Sequence, residues 1–144
     1  MKNILLYGQP GSGKSTLAKL LALRLRHTIV IEGDELRKHS GNVDYTKQGR
    51  AANIDLAITI ALFLNSQHVN VVLALVAPYE YLREKIEERL PGLKKCYLFY
   101  DSNITTRGRE GFWVEDFELN GDYSINTLMG VNECLDNLYN QVMK

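Results

Sequence analysis

The sequence predicts a three-layer α/β fold, in which a doubly wound, five-stranded parallel sheet carries helices on both faces. Short aliphatic runs alternate with longer segments of helical periodicity along the 144 residues, as in folds of this class. Residues 69–76 are almost wholly aliphatic, as expected for a central strand covered on both sides. A glycine-rich segment follows the first aliphatic run, where such folds bind ligands. We therefore expect a single domain, 1–144, with its site at the carboxyl ends of the strands.

The N-terminal half is predicted to contain two strands and three helices. Residues 3–7 form a short apolar run typical of a buried strand, and leucines at helical spacing predict a helix over 14–26. β-Branched residues predict a second strand at 28–31, after which Asp34 can cap a short helix. Alanine, isoleucine and leucine at helical intervals predict a long helix over 46–66.

The C-terminal half is predicted to hold the remaining elements after the central strand. A charged amphipathic pattern over 79–90 predicts a helix that stops at a Pro-Gly pair, and 96–100 is predicted to be a strand. Residues 101–120 show no period, so we expect a mobile loop. A weak strand at 123–126 and an amphipathic helix over 131–143 close the chain.

Composition and charge exclude several classes of protein. The 17 basic and 17 acidic residues cancel, so no global field draws the chain to a nucleic acid polymer or an anionic membrane. The apolar run 4–7 is too short for a membrane span or a signal peptide, and we expect a cytoplasmic protein. Cys96 and Cys134 lack the spacing of a zinc or redox site, and the histidines form no ligand pattern.

Residues 8–15 carry the clearest functional motif. They read Gly-Gln-Pro-Gly-Ser-Gly-Lys-Ser, which matches the P-loop pattern G-x-x-x-x-G-K-[ST] between a predicted strand and a predicted helix. The glycines let backbone N–H groups point at phosphate oxygens, at the positive end of the helix. Lys14 would act catalytically on the terminal phosphates and the Ser15 hydroxyl would hold Mg²⁺, so we predict a P-loop NTPase fold that binds a nucleoside triphosphate with Mg²⁺. The predicted phosphate-binding residues are Gly8, Gly11, Ser12, Gly13, Lys14, Ser15 and Thr16.

A P-loop does not by itself separate a kinase from a GTPase or a motor ATPase. The chain has no Asn-Lys-x-Asp guanine-reading motif and is short for a motor, which favours a small-molecule kinase. Such a kinase needs a carboxylate that orients the acceptor hydroxyl and cations for an anionic acceptor. Asp34 and Arg37 are spaced to share one helix face, and Arg50 and Asn53 repeat that spacing on the long helix.

These motifs resemble those of the adenylylsulfate kinases (APS kinases) through nearly the whole chain. The family's Asp-Gly-Asp-x-x-Arg motif is similar to Glu32-Gly33-Asp34 with Arg37. Its aromatic-Ser-x-x-Asp-Arg-x-x-Asn segment resembles residues 45–53, and its Ile-Ser-Pro-Tyr resembles residues 76–79. A later Asn-Phe-Thr-Gly-Ile-Asp-x-Pro-Tyr-Glu run is loosely similar to residues 111–118.

The resemblance implies transfer of the ATP γ-phosphate to the ribose 3′-hydroxyl of adenylylsulfate or a similar nucleotide. Asp34 would lie beside that hydroxyl as a catalytic base or orienter, and Tyr45 and Phe112 would sandwich the base. The resemblance implies a small-molecule nucleotide as partner, and it allows a homodimer. The predicted acceptor-binding residues are Asp34, Arg37, Tyr45, Arg50, Asn53, Val76, Ala77 and Phe112.

The acceptor side departs from the family pattern. Glu32, Gly49 and Ala77 replace Asp, Asp and Ser, and the basic lid is cut down to 101–110 within the loop 101–120. Arg107 and Arg109 remain as candidate lid cations. Two alternatives therefore stay open. One is a kinase for another nucleotide-linked metabolite, such as a cytidine diphosphate derivative in polysaccharide synthesis, and the other is a nucleotide-binding regulatory protein without turnover.

The individual residues also have structural interpretations. Arg37 and Arg50 could be solvated charges on helix faces, and Tyr45 could be a surface tyrosine. Phe112 and its neighbour Trp113 could anchor a loop onto the core. The spacing of the residues does not choose between these interpretations and the functional ones.

Overall fold

Five parallel strands form one sheet in the computed structural model, which describes residues 1–100 and 113–144. The strands are β1 (Asn3–Tyr7), β2 (Thr28–Glu32), β3 (Asn70–Leu75), β4 (Lys94–Phe99) and β5 (Ser124–Asn126). The helices are α1 (Lys14–Leu25), α2 (Gly33–Ser40), α3 (Lys47–Ser66), α4 (Glu80–Arg89) and α5 (Val131–Val142). The strand order is β2-β3-β1-β4-β5, and the predicted fold class is confirmed.

Strand β1 lies at the centre of the sheet and fixes where the site forms. It pairs with β3, with Leu5 opposite Leu73, and with β4, with Leu6 opposite Cys96. All five of its residues are buried, as expected for a parallel strand with neighbours on both edges. Because the strands are parallel, their carboxyl ends meet at one edge, and the P-loop leaves β1 at that edge.

Alternate residues of β1 enter two separate cores, which give the fold its three layers. Leu5 and Tyr7 pack with α3 and α4, whereas Ile4 and Leu6 pack with α1 and α5. Each fully buried aliphatic side chain of this kind stabilises the fold by about 1.5–3 kcal/mol. The two cores together hold the sheet rigidly beneath the ligand-binding edge. In the described ranges, no helix is both long enough and apolar enough to cross a bilayer.

One expectation about local structure needs correction, and a second falls mostly outside the described residues. Helix α2 begins at Gly33 with Glu32 in the N-cap position, so Asp34 lies inside the first turn and is not the cap. The chain enters α2 directly from β2, and the Asp34 carboxylate still lies favourably near the positive end of the helix. Of the predicted mobile loop 101–120, residues 101–112 lie outside the described residues. Residues 113–120 form no helix or strand, and hydrogen bonds join them to Gln9, Pro78 and Tyr79.

Candidate active site

A cleft of about 330 Å³ opens at the carboxyl ends of β1, β2 and β3. Its walls come from the P-loop and the start of α1 on one side and from the ends of β2 and β3 on the other. The lining residues are Pro10, Gly11, Gly13, Lys14, Ser15, Thr16, Glu32, Gly33, Asp34, Tyr45, Arg50, Ala74 and Val76. The predicted phosphate-binding residues Ser15 and Thr16 are exposed within it, whereas Ser12 is buried under the loop.

The backbone of the P-loop requires glycine where the sequence has it. Gly11 and Gly13 have φ angles of 83° and 95°, in the left-handed region that side chains disfavour. A Cβ on Gly8 would overlap the backbone carbonyl oxygen of Leu98. Among the described residues, no side chain caps the N-terminus of α1, and its first turn contains no acidic residue. The positive end of this helix is therefore accessible to an anion. These features agree with the predicted role of the loop in phosphate binding.

Lys14 lies over this loop. Its Nζ donates to the carbonyl oxygens of Gly8 at 3.0 Å and Gln9 at 2.8 Å, and lies 3.3 Å from the Ser12 Oγ. These are acceptors that a phosphate oxygen can replace, because an ammonium group has three donors and rotates easily on its flexible stem. The lysine thus lies against the backbone of the loop that is predicted to bind phosphate.

Thr127 supports the P-loop from below, a contact that sequence reasoning missed. Its Oγ1 lies 2.8 Å from the Ser12 carbonyl oxygen and 3.1 Å from that of Phe99. Its Cγ2 would lie 3.4 Å from a Cβ built on Gly13. The threonine directly follows β5, so the end of this strand helps to position the P-loop.

A second pocket, of about 40 Å³, continues from the cleft toward the predicted acceptor-binding residues, and we call it the acceptor pocket. The two share five lining residues: Gly33, Asp34, Tyr45, Arg50 and Val76. The second pocket adds Arg37, Asn53, Ile54, Leu75, Ala77 and Pro78. Seven of the eight predicted acceptor-binding residues therefore lie around one small volume. The eighth, Phe112, lies outside the described residues, as do the lid candidates Arg107 and Arg109.

Arg37 and Arg50 are organised around Tyr45 and are not freely solvated charges. Arg37 Nη1 donates to Asp44 O at 2.9 Å and to Asn42 Oδ1 at 3.1 Å, and its guanidinium carbon lies 4.0 Å from the Tyr45 ring centroid. Arg50 Nε donates to Tyr45 O at 3.0 Å. Partial burial lowers the pKa of the Arg50 guanidinium. A desolvated cation at a pocket wall attracts an anion more strongly than one in bulk water.

Asn53 lines the acceptor pocket and carries a buried hydrogen-bond acceptor. The side chain is 7% exposed, and its Nδ2 donates to Gly33 O at 3.3 Å, which orients the amide. Its Oδ1 is buried and has no hydrogen-bond partner in the part of the chain that the structure describes. A buried, unpaired carbonyl oxygen costs about 1–3 kcal/mol. A ligand that donates a hydrogen bond there, such as a hydroxyl, would remove that cost.

The acceptor wall is held by a buried arginine that sequence reasoning also missed. Ala77 has a φ of 39°, unusual for a residue with a side chain, and its carbonyl oxygen accepts from Arg83 Nη1 at 2.8 Å. Arg83 is fully buried, donates to Glu118 O at 2.6 Å through Nη2, and lies 4.4 Å from the centroid of the Tyr7 ring. This guanidinium joins the wall of the pocket to residues 113–122, which we call the return segment.

The return segment is fixed along its length to the sheet edge. Tyr79 Oη donates to Asp116 Oδ1 at 3.3 Å, and Glu118 N donates to Pro78 O at 2.8 Å. Tyr7 Oη donates to Asp122 Oδ2 at 2.6 Å, and burial together with this carboxylate raises the Tyr7 pKa. The segment thus packs behind the acceptor wall.

The sequence model of the adenylylsulphate kinase family matches residues 2–133. The chain belongs to this family. Cytidine diphosphoramidate kinase of Campylobacter jejuni is 30% identical over 127 residues, 80% of this chain and 73% of that protein. The probable adenylyl-sulfate kinase of Pyrococcus abyssi is 30% identical over 101 residues, 67% of this chain and 58% of that protein. The structure of the Mycobacterium tuberculosis APS kinase with AMPPNP and APS superposes with a TM-score of 0.81, at 15% identity over 99% of this chain and 98% of that one.

Membership of the kinase family agrees with the donor side of the cleft. The family implies ATP as phosphoryl donor, typically with Mg²⁺. The glycine conformations of the P-loop fit a triphosphate, and the exposed Ser15 hydroxyl is an oxygen ligand of the kind that Mg²⁺ accepts. Glu32 also lines the cleft, and its Oε2 lies 3.6 Å from Lys19 Nζ.

Proposed function

We propose that this protein transfers the γ-phosphoryl group of ATP to a ribose hydroxyl of a small nucleotide that carries a second anionic group on its 5′-phosphate. The main support for this proposal is that the two pockets are continuous and share lining residues. The P-loop lines one, Arg37 and Asn53 line the other, and Asp34 belongs to both. A carboxylate at the junction of a phosphate cradle and an acceptor pocket is where an acceptor hydroxyl must be oriented.

Each residue has a defined task in this reaction. Asp34 orients the hydroxyl and takes its proton, and Lys14 moves from the P-loop carbonyl oxygens to the transferred phosphoryl group. Arg37 and Arg50 balance the acceptor's anionic group, and the Asn53 Oδ1 accepts a hydrogen bond from the acceptor. Mg²⁺, which Ser15 would hold, supplies charge neutralisation between the phosphates. Positioning and electrostatics carry most of the rate enhancement in such a site.

Adenylylsulfate is the first candidate acceptor. The family match over residues 2–133 supports it, and so does the stacked arrangement of Arg37 on Tyr45, which leaves the tyrosine 41% exposed. In this proposal Tyr45 and Phe112 hold the adenine between them, and Val76 and Ala77 form the wall beside the ribose. The product would be 3′-phosphoadenylylsulfate.

Cytidine diphosphoramidate is the second candidate. The relative that acts on it aligns with 80% of this chain, whereas the adenylyl-sulfate kinase relative aligns with 67%. Both acceptors present a ribose hydroxyl and an anionic group to the same cations. They differ in the base and in the terminal group. Both groups would bind on the acceptor side of the cleft, where this chain departs from the family pattern.

A panel assay separates these possibilities. The protein is incubated with Mg-ATP and, separately, adenylylsulfate, cytidine diphosphoramidate or a simple sugar, and ADP release is measured. A preference for one nucleotide identifies the acceptor, and ³¹P NMR of the product locates the new phosphomonoester. ATP binding without acceptor-dependent ADP for any compound would refute the kinase proposal and support a regulatory role.

Two further properties remain predictions. We infer a homodimer from the family resemblance, and light scattering on a sizing column should then give twice the 16.4 kDa of one chain. A cytoplasmic location is the other, and fractionation of cells that express the protein tests it.

A further inference from the structure

One side chain of the P-loop reaches the return segment. Gln9 Nε2 donates to Val114 O at 2.6 Å, and Gln9 Oε1 accepts from Val114 N at 2.9 Å. A side-chain amide here makes the pair of hydrogen bonds that a neighbouring strand would otherwise make. Val114 is 7% exposed, so both bonds are sheltered from water. They join residues that are 105 positions apart in the chain.

The backbone of the same residue contacts the lysine of the P-loop. Gln9 O accepts from Lys14 Nζ at 2.8 Å, and the neighbouring residues Gly8 and Pro10 are buried. A shift of Gln9 would therefore move the donor loop and the return segment together.

The return segment carries this contact on to the acceptor side. Two residues after Val114, Asp116 accepts a hydrogen bond from Tyr79 and interacts electrostatically with Arg50. Four residues after it, Glu118 N donates to Pro78 O, which belongs to the lining of the acceptor pocket. Val114 thus lies between the phosphate loop and the residues that shape the acceptor pocket.

We propose that Gln9 is a positioning residue that holds the acceptor side of the cleft in register with the P-loop. The proposal rests on the proposed function, since it assigns the two sides of the cleft to the two substrates. The phosphate-binding pattern leaves the position after its first glycine unrestricted, so phosphate binding does not explain a glutamine there. Its side-chain amide bonds to Val114, and its loss should therefore affect the acceptor more than ATP.

The chain has a built-in probe of this contact that does not depend on catalysis. Trp113 is its single tryptophan, lies next to Val114 and is 36% exposed. In Gln9→Met, which keeps the length of the side chain and removes both hydrogen bonds, the constant for acrylamide quenching of Trp113 should rise about twofold as the segment opens locally. Gln67→Met, at the exposed end of α3, is the matched control and should leave quenching unchanged.

A second variant covers the case in which Gln9→Met does not fold. Gln9→Glu keeps the shape of the side chain but places a carboxylate oxygen against Val114 O, so quenching should rise at least as much as in Gln9→Met. Wild-type quenching in a folded variant of either kind would overturn the proposal.

Kinetics distinguish positioning from a merely structural role. With the acceptor that the wild-type protein phosphorylates, Gln9→Met should raise the acceptor KM about tenfold and change the ATP KM by less than about twofold. Equal changes in both KM values would overturn the proposal. If the wild-type protein releases no acceptor-dependent ADP, the proposed function fails, and the quenching of Trp113 alone decides the role of Gln9.

Discussion

The donor and acceptor sides of the cleft are built in opposite ways. The donor side is a continuous run of eight residues, 8–15, whose backbone and one lysine form the predicted phosphate site. The acceptor side draws its residues from α2, α3 and the end of β3, and the return segment supports it through contacts between residues 35 to 115 positions apart. The predicted phosphate site is thus encoded locally, whereas the predicted acceptor site depends on tertiary structure.

This difference explains where the chain diverges from its family. A side chain at Gly11 or Gly13 would disturb a left-handed backbone, and one at Gly8 would overlap Leu98, so these glycine positions tolerate little variation. On the acceptor side, Gly49 stands where the family has an acid, and a Cβ at that position would overlap Asp44. The glycine therefore lets the backbone before α3 pack closely, and this packing brings Asp44 to the guanidinium of Arg37. A side chain at position 49 would therefore require Asp44 to move.

The largest expected effect comes from removing the cation of the donor side. Lys14→Ala should lower kcat about 100- to 1,000-fold, because it removes a positive charge from the transferred phosphoryl group in the transition state. The acceptor KM should change little. Lys38→Ala, which removes a 71% exposed lysine paired only with Glu35 among the described residues, is the control in a steady-state ADP assay. If kcat fell to a similar extent in Lys14→Ala and Lys38→Ala, Lys14 would not be the lysine that contacts the transferred phosphoryl group.

On the acceptor side, Arg50→Ala should raise the acceptor KM about 30-fold, which corresponds to ~2 kcal/mol for a charged hydrogen bond. The ATP KM should stay within about twofold of the wild type, because the arginine acts on the acceptor's anionic group. Arg50→Lys keeps the charge and loses the planar guanidinium, so its acceptor KM should lie between those of the wild type and Arg50→Ala. Arg89→Ala, at the exposed end of α4, controls for loss of an arginine. Unchanged acceptor kinetics in Arg50→Ala would show that the acceptor binds elsewhere.

The same contrast limits what the sequence could predict. The fold class, the elements and the P-loop follow from local patterns, and the resemblance to APS kinases located the residues that line the second pocket. Gln9, Arg83 and Thr127 could not be found in this way. Each of them has a partner among the backbone carbonyl and amide groups of a distant segment, and such partners have no residue type that a pattern can show. The N-terminus of α2 was misjudged because an acidic residue is equally compatible with the cap and with the first turn.

Arg83 tests whether the acceptor wall depends on the return segment. Arg83→Met keeps the bulk of the side chain but leaves the carbonyl oxygens of Ala77 and Glu118 without their donors, so the free energy of unfolding should fall by about 2 kcal/mol. The acceptor KM should rise while the ATP KM stays near the wild-type value. Urea unfolding and two-substrate kinetics measure both effects, and Arg89→Met on the same helix is the exposed control. A stable variant with normal kinetics would mean that the wall holds its shape without this arginine.

The smallest expected effect tests the support beneath the donor loop. Thr127→Val keeps the shape of the side chain and removes the hydroxyl that lies against the carbonyl oxygens of Ser12 and Phe99. The expected cost is about 1 kcal/mol of folding stability, with a few-fold loss of ATP affinity and an unchanged acceptor KM. Thr127→Ser keeps the hydroxyl and loses only the methyl group near Gly13, so it should bind ATP almost normally. Isothermal titration with Mg-ATP compares the two. If the serine variant lost as much affinity as the valine variant, packing against the loop would matter more than the hydrogen bond, and the donor side would also depend on tertiary contact.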